Sequence, residues 1–502
     1  MARPDILTDA GYREVVALLN EQSVLNGSRC TRRVWLDRHE PKKSASVWRI
    51  GRALQHAHLL SAYAGFCGEM ETVERDQSWS ARVAETTLQL QQGALELIGA
   101  CFEVDGVCAT VDHIRLTDSG WVITSIRGAA SPKSAHNGPL AQAMWVMRQC
   151  GYSVAEAQVA TINPDWAVNT ADSPFRLKRV TQSAETRAAQ LDELIPKLRS
   201  VVASNDPEPT PGSHCHKPSP CPHLATCQPA AGDRGLSELY RVKAKVIRQL
   251  DAQGVTHIGD IPEATPLPPI ASRQRRAHMS GSVAVSNNLP AALSRITRPT
   301  VYIDFEAIQP ALPDWPDARP FGVLPVQVSL HTLDEDDHLT HAEWLAQPGQ
   351  DPRPHLATFL ANHLNNDATL VAYHSTFELN VLNKLEDFCS RADAQVLADA
   401  QTRIVDMLPM VRDNIYHPDF KGKFSLKSVV EALLPDLSYR GLTIRRGDEA
   451  SLVLEAHCRG QAAAFGWSDH ERTRALLDYC GRDTLVMVHL ESILRELAST
   501  SD

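Results

Sequence analysis

The rhythm of hydrophobic positions changes along this chain. From Pro4 to about residue 226, helical spacing mixes with short β-rich runs, among them Ala109-Thr110-Val111-Asp112-His113-Ile114 and Trp121-Val122-Ile123-Thr124-Ser125-Ile126-Arg127. Residues 205–220 are dense in Pro, Ser and His and read as an irregular connector. Further on, Tyr240, Val242, Val246, Ile247 and Leu250 predict a helix, stopped at Gly254 and followed by a second short element. Residues 262–298 are rich in Pro, Ser, Ala and Arg, including Arg273, Arg275 and Arg276, and predict a linker or arm. At Val301 a second α/β pattern begins, with strands predicted at 300–305, 323–330 and 369–373 among long helical stretches. The expected organisation is one α/β domain over 1–230, a helical connector and linker over 231–298, and a second α/β domain over 299–502.

At 502 residues the chain exceeds what one hydrophobic core serves. Its 43% hydrophobic and 22% charged residues are ordinary for a globular protein. It has no uncharged apolar run of membrane-spanning length, and residues 1–6 lack the apolar core of a signal peptide. A cytoplasmic location with no membrane partner is therefore the expectation. The net charge of -10 is unevenly placed: from Val301 onward there are 17 Lys and Arg against 31 Asp and Glu. Subtracting these from totals of 50 and 60 leaves 33 against 29 in the first 300 residues. An acidic half meets phosphate only with help from metal ions or a basic neighbour. Eleven cysteines in a reducing compartment point to metal binding or plain burial rather than disulfides. Cys67, Cys101, Cys108, Cys150, Cys389, Cys458 and Cys480 read as small core residues.

Val301-Tyr302-Ile303-Asp304-Phe305-Glu306 carries the strongest chemical signal. On a strand, Asp304 and Glu306 project to one face and Ile303 and Phe305 to the other. Two carboxylates that close repel by about 1 kcal/mol in water and about 4 kcal/mol at an intermediate dielectric. A solvated strand end tolerates such a pair, and so does a divalent cation site. Near the carboxyl end, Leu476, Leu485, Val488, Ile493 and Leu497 recur at helical spacing and place Tyr479 and Asp483 on one face, a turn apart. Between them, Leu370-Val371-Ala372-Tyr373-His374-Ser375-Thr376-Phe377-Glu378 reads as a strand running into a helix start that bears an acid. The run Asp334-Glu335-Asp336-Asp337 reads as a solvated loop.

Together these motifs resemble the DEDDy branch of the RNase H-like 3′→5′ exonucleases. In that family four carboxylates hold two divalent ions, and a tyrosine orients the attacking water. The resemblance implies Asp304, Glu306 and Asp483 as ligands of Mg2+ or Mn2+, Tyr479 as the water-positioning residue, and Glu378 in the third acidic place. The family usually has Asp there, preceded by Asn where this chain has His374. Ile404-Val405-Asp406-Met407-Leu408 looks like the family's internal strand with an acid. Phe424-Ser425-Leu426-Lys427-Ser428-Val429 looks like its Ser-Leu helix start beneath the site. All-oxygen ligands suit Mg2+ or Mn2+ rather than zinc.

Cys215, Cys221 and Cys227 form an evenly spaced triplet, and Cys30 lies far upstream in Arg29-Cys30-Thr31-Arg32-Arg33-Val34-Trp35-Leu36. Spacing alone allows a zinc site with help from His214, His216 or His223. One cysteine before a Trp-Leu helix with a triplet at the far end also resembles the iron–sulfur staple of RecB-like PD-(D/E)XK nucleases, implying a [4Fe-4S] cluster on the four thiolates. That family's core places Asp on a hairpin and Glu-x-Lys on the next strand. Here Asp112 supplies the first acid, but Ser125 and Arg127 stand in the Glu and Lys places, while His56 and Gln142 fit accessory positions. Serine is a poor metal ligand and Arg keeps its proton, so this domain is expected to bind rather than cut.

The leading expectation is thus a metal-dependent 3′→5′ exonuclease acting on single-stranded DNA or RNA, with the front domain as a basic grip. A second reading is a non-catalytic nucleic-acid-binding adaptor in a repair or phage-defence complex. A third retains endonuclease activity in the front domain, with Lys133 recruited to its site.

Overall fold

The computed structural model describes residues 18–40, 46–68, 70–74, 77–217, 219–227 and 235–500. The amino-terminal residues from which no signal peptide was expected lie outside this set. Contacts divide the chain into two units, one comprising Met1–Pro229 with Gln309–Gly322 and Ala464–Gly466, the other the remainder. No helix among the described residues is long and apolar enough to cross a membrane.

The first unit is built on a six-stranded mixed sheet whose spatial order follows the chain: β1 (Glu71–Thr72), β2 (Glu96–Val104), β3 (Val107–Thr117), β4 (Gly120–Arg127), β5 (Val154–Ile162) and β6 (Phe175–Arg179). Asp105 and Gly106, at φ 48° and 75°, join β2 to β3. Positive φ at both central residues suits a tight turn to the twist of paired strands. β4 and β5 are parallel, so their connection crosses over through the helix Asn137–Gln149. That helix and Thr181–Ala203 bury Leu140, Met144, Met147, Leu191 and Leu198 in the core of the sheet. β3 and β4 realise the predicted hairpin, with Asp112 on one arm and Ser125 and Arg127 on the other.

In the second unit, β7 (Ala284–Val285) pairs with a later two-residue strand. The main sheet contains β8 (Thr300–Ile308), β9 (Leu324–Leu333), β10 (Leu339–Leu345), β11 (Thr369–Ala372) and β12 (Ile404–Asp406), in the order β10-β9-β8-β11-β12. β8 is central, antiparallel to β9 and parallel to β11. Its alternation is the expected one. Ile303 and Phe305 join a core with Leu356, Leu360, Val381 and Leu382, and Tyr302 joins the opposite core with Met487, Leu490 and Leu494. β11 pairs with β8 only as far as Tyr302. Asp304 and Glu306 therefore lie beyond the end of the neighbouring parallel strand, where ligands gather in open α/β sheets.

The helix predicted over 240–250 is present, while residues 262–298 depart from the linker expectation. Helices Ala244–Ala252, Pro269–Ser280 and Leu289–Leu293 pack within the second unit, burying Leu250, Ala277, Leu289 and Leu293. Arg273 is buried and donates to the Arg412 carbonyl at 3.2 Å, while Arg275 donates to the carbonyls of Pro262 and Glu263 at 2.8 and 2.9 Å. Only Arg276 of the three is exposed. Composition missed this because apolar positions are sparse while arginine stems and backbone bonds complete the packing.

The helix Asp469–Ser499 begins in a reciprocal capping box between Ser468 and Glu471. Near its far end, the fully buried Glu491 accepts from the Tyr302 hydroxyl, from Arg298 at 3.1 Å and from Arg495 at 2.6 Å. Removing one donor from a buried carboxylate exposes part of its desolvation cost. Tyr302→Phe is expected to lower stability by about 1.5–3 kcal/mol in urea unfolding. A loss indistinguishable from zero would mean this network carries no weight.

Candidate functional site

Three elements converge beyond the end of β11. β8 supplies Asp304 and Glu306, the helix Asp469–Ser499 supplies Tyr479 and Asp483, and the helix Thr376–Leu385 supplies Glu378. Carboxylate oxygens of Asp304, Glu306 and Asp483 all lie within 4.8 Å of one another. Asp304 and Glu306 are half-buried and Asp483 is buried. Polar pairs fix the helix against the sheet. Gln327 donates to the Leu476 carbonyl at 2.9 Å, and the buried Thr484 hydroxyl lies 2.7 Å from both Ser329 and His331. These contacts place Tyr479 and Asp483 opposite β8.

Glu378 is buried but is not one of the three gathered acids. Its charge still acts on Asp304, and one of its oxygens, Oε2, is buried without a partner. His374, four residues earlier, sits at φ 73°, in the left-handed region that few side chains adopt. Its N–H donates at 2.9 Å to Oδ1 of Asp406, which also caps the helix Met407–Asn414 through the Leu408 N–H. Asp406 thus holds the turn that aims Glu378 and is not among the gathered acids.

The electrostatics are those of crowded, buried negative charge only partly offset by Lys427. Burial, with repulsion from Asp483, Glu306 and Glu378, pushes Asp304 well above the usual carboxylate range. Burial and Asp483 raise Glu306 to about 8, and burial raises Glu378 to about 7. Asp483 is raised by burial to about 6, held back by the Tyr439 hydroxyl, which donates to it, and by the Lys427 charge. Cys480, expected to be a plain core residue, is buried with its sulfur 3.8 Å from Asp304 Oδ2. Lys427, on the first turn of the helix Leu426–Leu433 capped by Ser425, donates to the Tyr479 hydroxyl at 2.7 Å. Sequence reasoning missed Tyr439 and the role of Lys427. Only the Ser-Leu-Lys helix start hinted at the latter. An all-oxygen donor set with an orphaned buried carboxylate oxygen fits a hard divalent cation such as Mg2+ or Mn2+.

In the first unit, Asp112 stands in the opposite condition. Its Oδ1 lies 2.8 Å from His56 Nε2, and its Oδ2 accepts from the Ile126 N–H at 2.8 Å and more weakly from Ser125 at 3.4 Å. Burial would raise it, but His56, Arg127 and the Ile126 N–H outweigh that and hold it well below the usual range. Asp112, His56, Ser125 and Arg127 line a cavity of about 450 Å³ shared with Glu21, which was not anticipated. Burial, partly offset by Arg127, raises Glu21 to about 7. Gln142 is not part of that lining, since it donates to the Leu19 and Cys108 carbonyls at 3.0 and 2.8 Å. Nor is Lys133, which lines a separate recess with Lys178 and Arg179.

Cys30, Cys215, Cys221 and Cys227 line one small cavity, together with His214 and His223. Among the described residues, their sulfurs do not meet the tight mutual spacing of the three acids. His223 is committed to Asp37 at 2.8 Å through Nε2.

Residues 301–425 match a family model described as a domain of unknown function, DUF2779. That stretch contains Asp304, Glu306 and Glu378 and stops short of Tyr479 and Asp483. No curated protein and no solved structure matches the chain.

The raised carboxyls have a thermodynamic consequence. Between about pH 4 and pH 8 the folded metal-free protein keeps protons that the unfolded chain has released, so these groups make stability fall as pH rises through that window. Asp304→Asn is expected to raise the metal-free Tm at pH 8 by about 3 °C and to change it little at pH 4. Added Mn2+ is expected to stabilise the wild type at pH 8 and not the variant. Equal pH profiles for the two proteins in chelator, by calorimetry, would contradict this account.

Proposed function

We propose that the protein is a metal-dependent 3′→5′ exonuclease that hydrolyses phosphodiester bonds in single-stranded DNA or RNA in the cytoplasm. The observation that carries the reading is the convergence of Asp304, Glu306 and Asp483 within 4.8 Å, from positions nearly 180 residues apart in sequence. Bound Mg2+ or Mn2+ would supply charge stabilisation for the leaving oxygen and a more acidic water. Asp304, Glu306 and Asp483 would hold the ions, with Glu378 reaching the site by its longer arm. The Tyr479 phenol keeps its proton, because burial and the neighbouring acids raise its pKa, and so serves as a hydrogen-bond director rather than a base. The motif order, the central position of β8 and the opening beyond β11 support the same reading.

The first unit serves in this proposal as a RecB-like nucleic-acid grip. Its PD-(D/E)XK-type hairpin carries an Asp112 already satisfied by His56 and the Ile126 N–H, which suits binding better than cutting. Cys30, Cys215, Cys221 and Cys227 would hold a [4Fe-4S] cluster, with zinc as the alternative. The four cysteines line one small cavity, and the iron–sulfur reading rests on the resemblance of their order along the chain to the RecB-like staple. Anaerobically purified protein is then expected to be brown with iron and sulfide in equal amounts. Colourless protein with stoichiometric zinc would replace the cluster by a zinc ion.

One observation favours a second reading. Glu378 replaces the usual Asp and stands apart from the three gathered acids, as suits a non-catalytic adaptor in a repair or phage-defence assembly. A 5′-labelled single strand separates the two. With Mg2+ or Mn2+ it is expected to shorten from its 3′ end, and Asp304→Ala or Asp483→Ala to slow this by roughly 10³-fold. Tight strand binding without metal-stimulated shortening in the wild type would establish the adaptor instead.

A further inference from the structure

The acids share their pocket with one fixed cation whose hydrogen bonds are constrained by valence. The Lys427 ammonium lies 2.7 Å from the Tyr479 oxygen, 2.9 Å from the Arg445 carbonyl and 4.7 Å from the centre of the Tyr439 ring. An ammonium only donates, so the Tyr479 oxygen must accept from it. The single O–H of Tyr479 is then left to reach another acceptor. Tyr439 has already given its own O–H to Asp483. The charges that act on Lys427 are, in order, Asp483, Glu306, Asp304 and Asp448, so the ammonium faces the gathered acids. Aromatic contact and the two donated bonds hold it there, and among the described residues it makes no ion pair at contact distance.

We propose that Lys427 is the positioning residue of this pocket. By occupying the acceptor side of Tyr479 it compels the phenol to donate toward the acids, and by its charge it sets how tightly those acids bind a divalent cation. The inference rests on the metal-centre reading above. A lysine that merely packed against the two tyrosines would leave cation affinity unchanged.

The test uses the full chain, stripped by chelator and titrated with Mn2+ in a calorimeter. Lys427→Met keeps the stem and removes the charge, and it is expected to bind Mn2+ at least about tenfold tighter than wild type. Lys427→Arg restores charge and donors and is expected within about threefold of wild type. Should Lys427→Met fail to fold, Lys427→Gln makes the same comparison. Wild-type binding with unchanged affinity in the neutral variants overturns the inference alone. A wild type that binds no Mn2+ overturns the metal centre and the inference together. Where strand shortening is measurable, Lys427→Met is expected to lower kcat about 100-fold with little change in KM and to cost nothing further on top of Tyr479→Phe. Additive losses would show that Lys427 does not act through the phenol.

Discussion

Mutual repulsion among carboxylates that the fold does not allow to separate is the constraint on which the second unit turns. β8 presents two acids on one face, and a long helix, registered by Thr484 and Gln327, brings a third against them. Burial leaves that charge poorly screened, and the carboxyls are pushed up in consequence. The fold answers this partly with its own donors, through Tyr439 and Lys427.

The first unit meets the same difficulty and resolves it internally. Asp112 has an imidazole, a guanidinium and a backbone N–H arranged around it. Where a carboxylate has found all its partners inside the protein, little of its charge remains to attract a metal. The carboxylates of the two units thus stand in opposite electrostatic conditions.

Much of the second unit was legible in its sequence, because period-two and helical patterns dictate which way side chains point. Asp304 and Glu306 faced together for that reason, as did Tyr479 and Asp483. The strand predicted at 323–330 extends to Leu333, where His331, Thr332 and Leu333 still pair with both neighbouring strands. What stayed hidden were contacts between distant segments. Tyr439, Lys427 and Glu21 reach their sites through tertiary geometry that no local period encodes. The same holds for Arg273, whose burial depends on carbonyls near residue 412. Asp406 was visible as an acid after a strand, but its use as a brace for the His374 turn depends on a neighbouring strand.

The helix that carries Asp483 is anchored eight residues further on by Glu491, a distance of about 12 Å along its axis. A slip of one turn would carry Asp483 about 5 Å from the strand acids, more than the span of the whole cluster. The helix therefore acts as a ruler whose zero mark is a buried carboxylate with its donors, remote from the pocket. Damage at that mark would be felt in the pocket as misalignment, with every charged group still present.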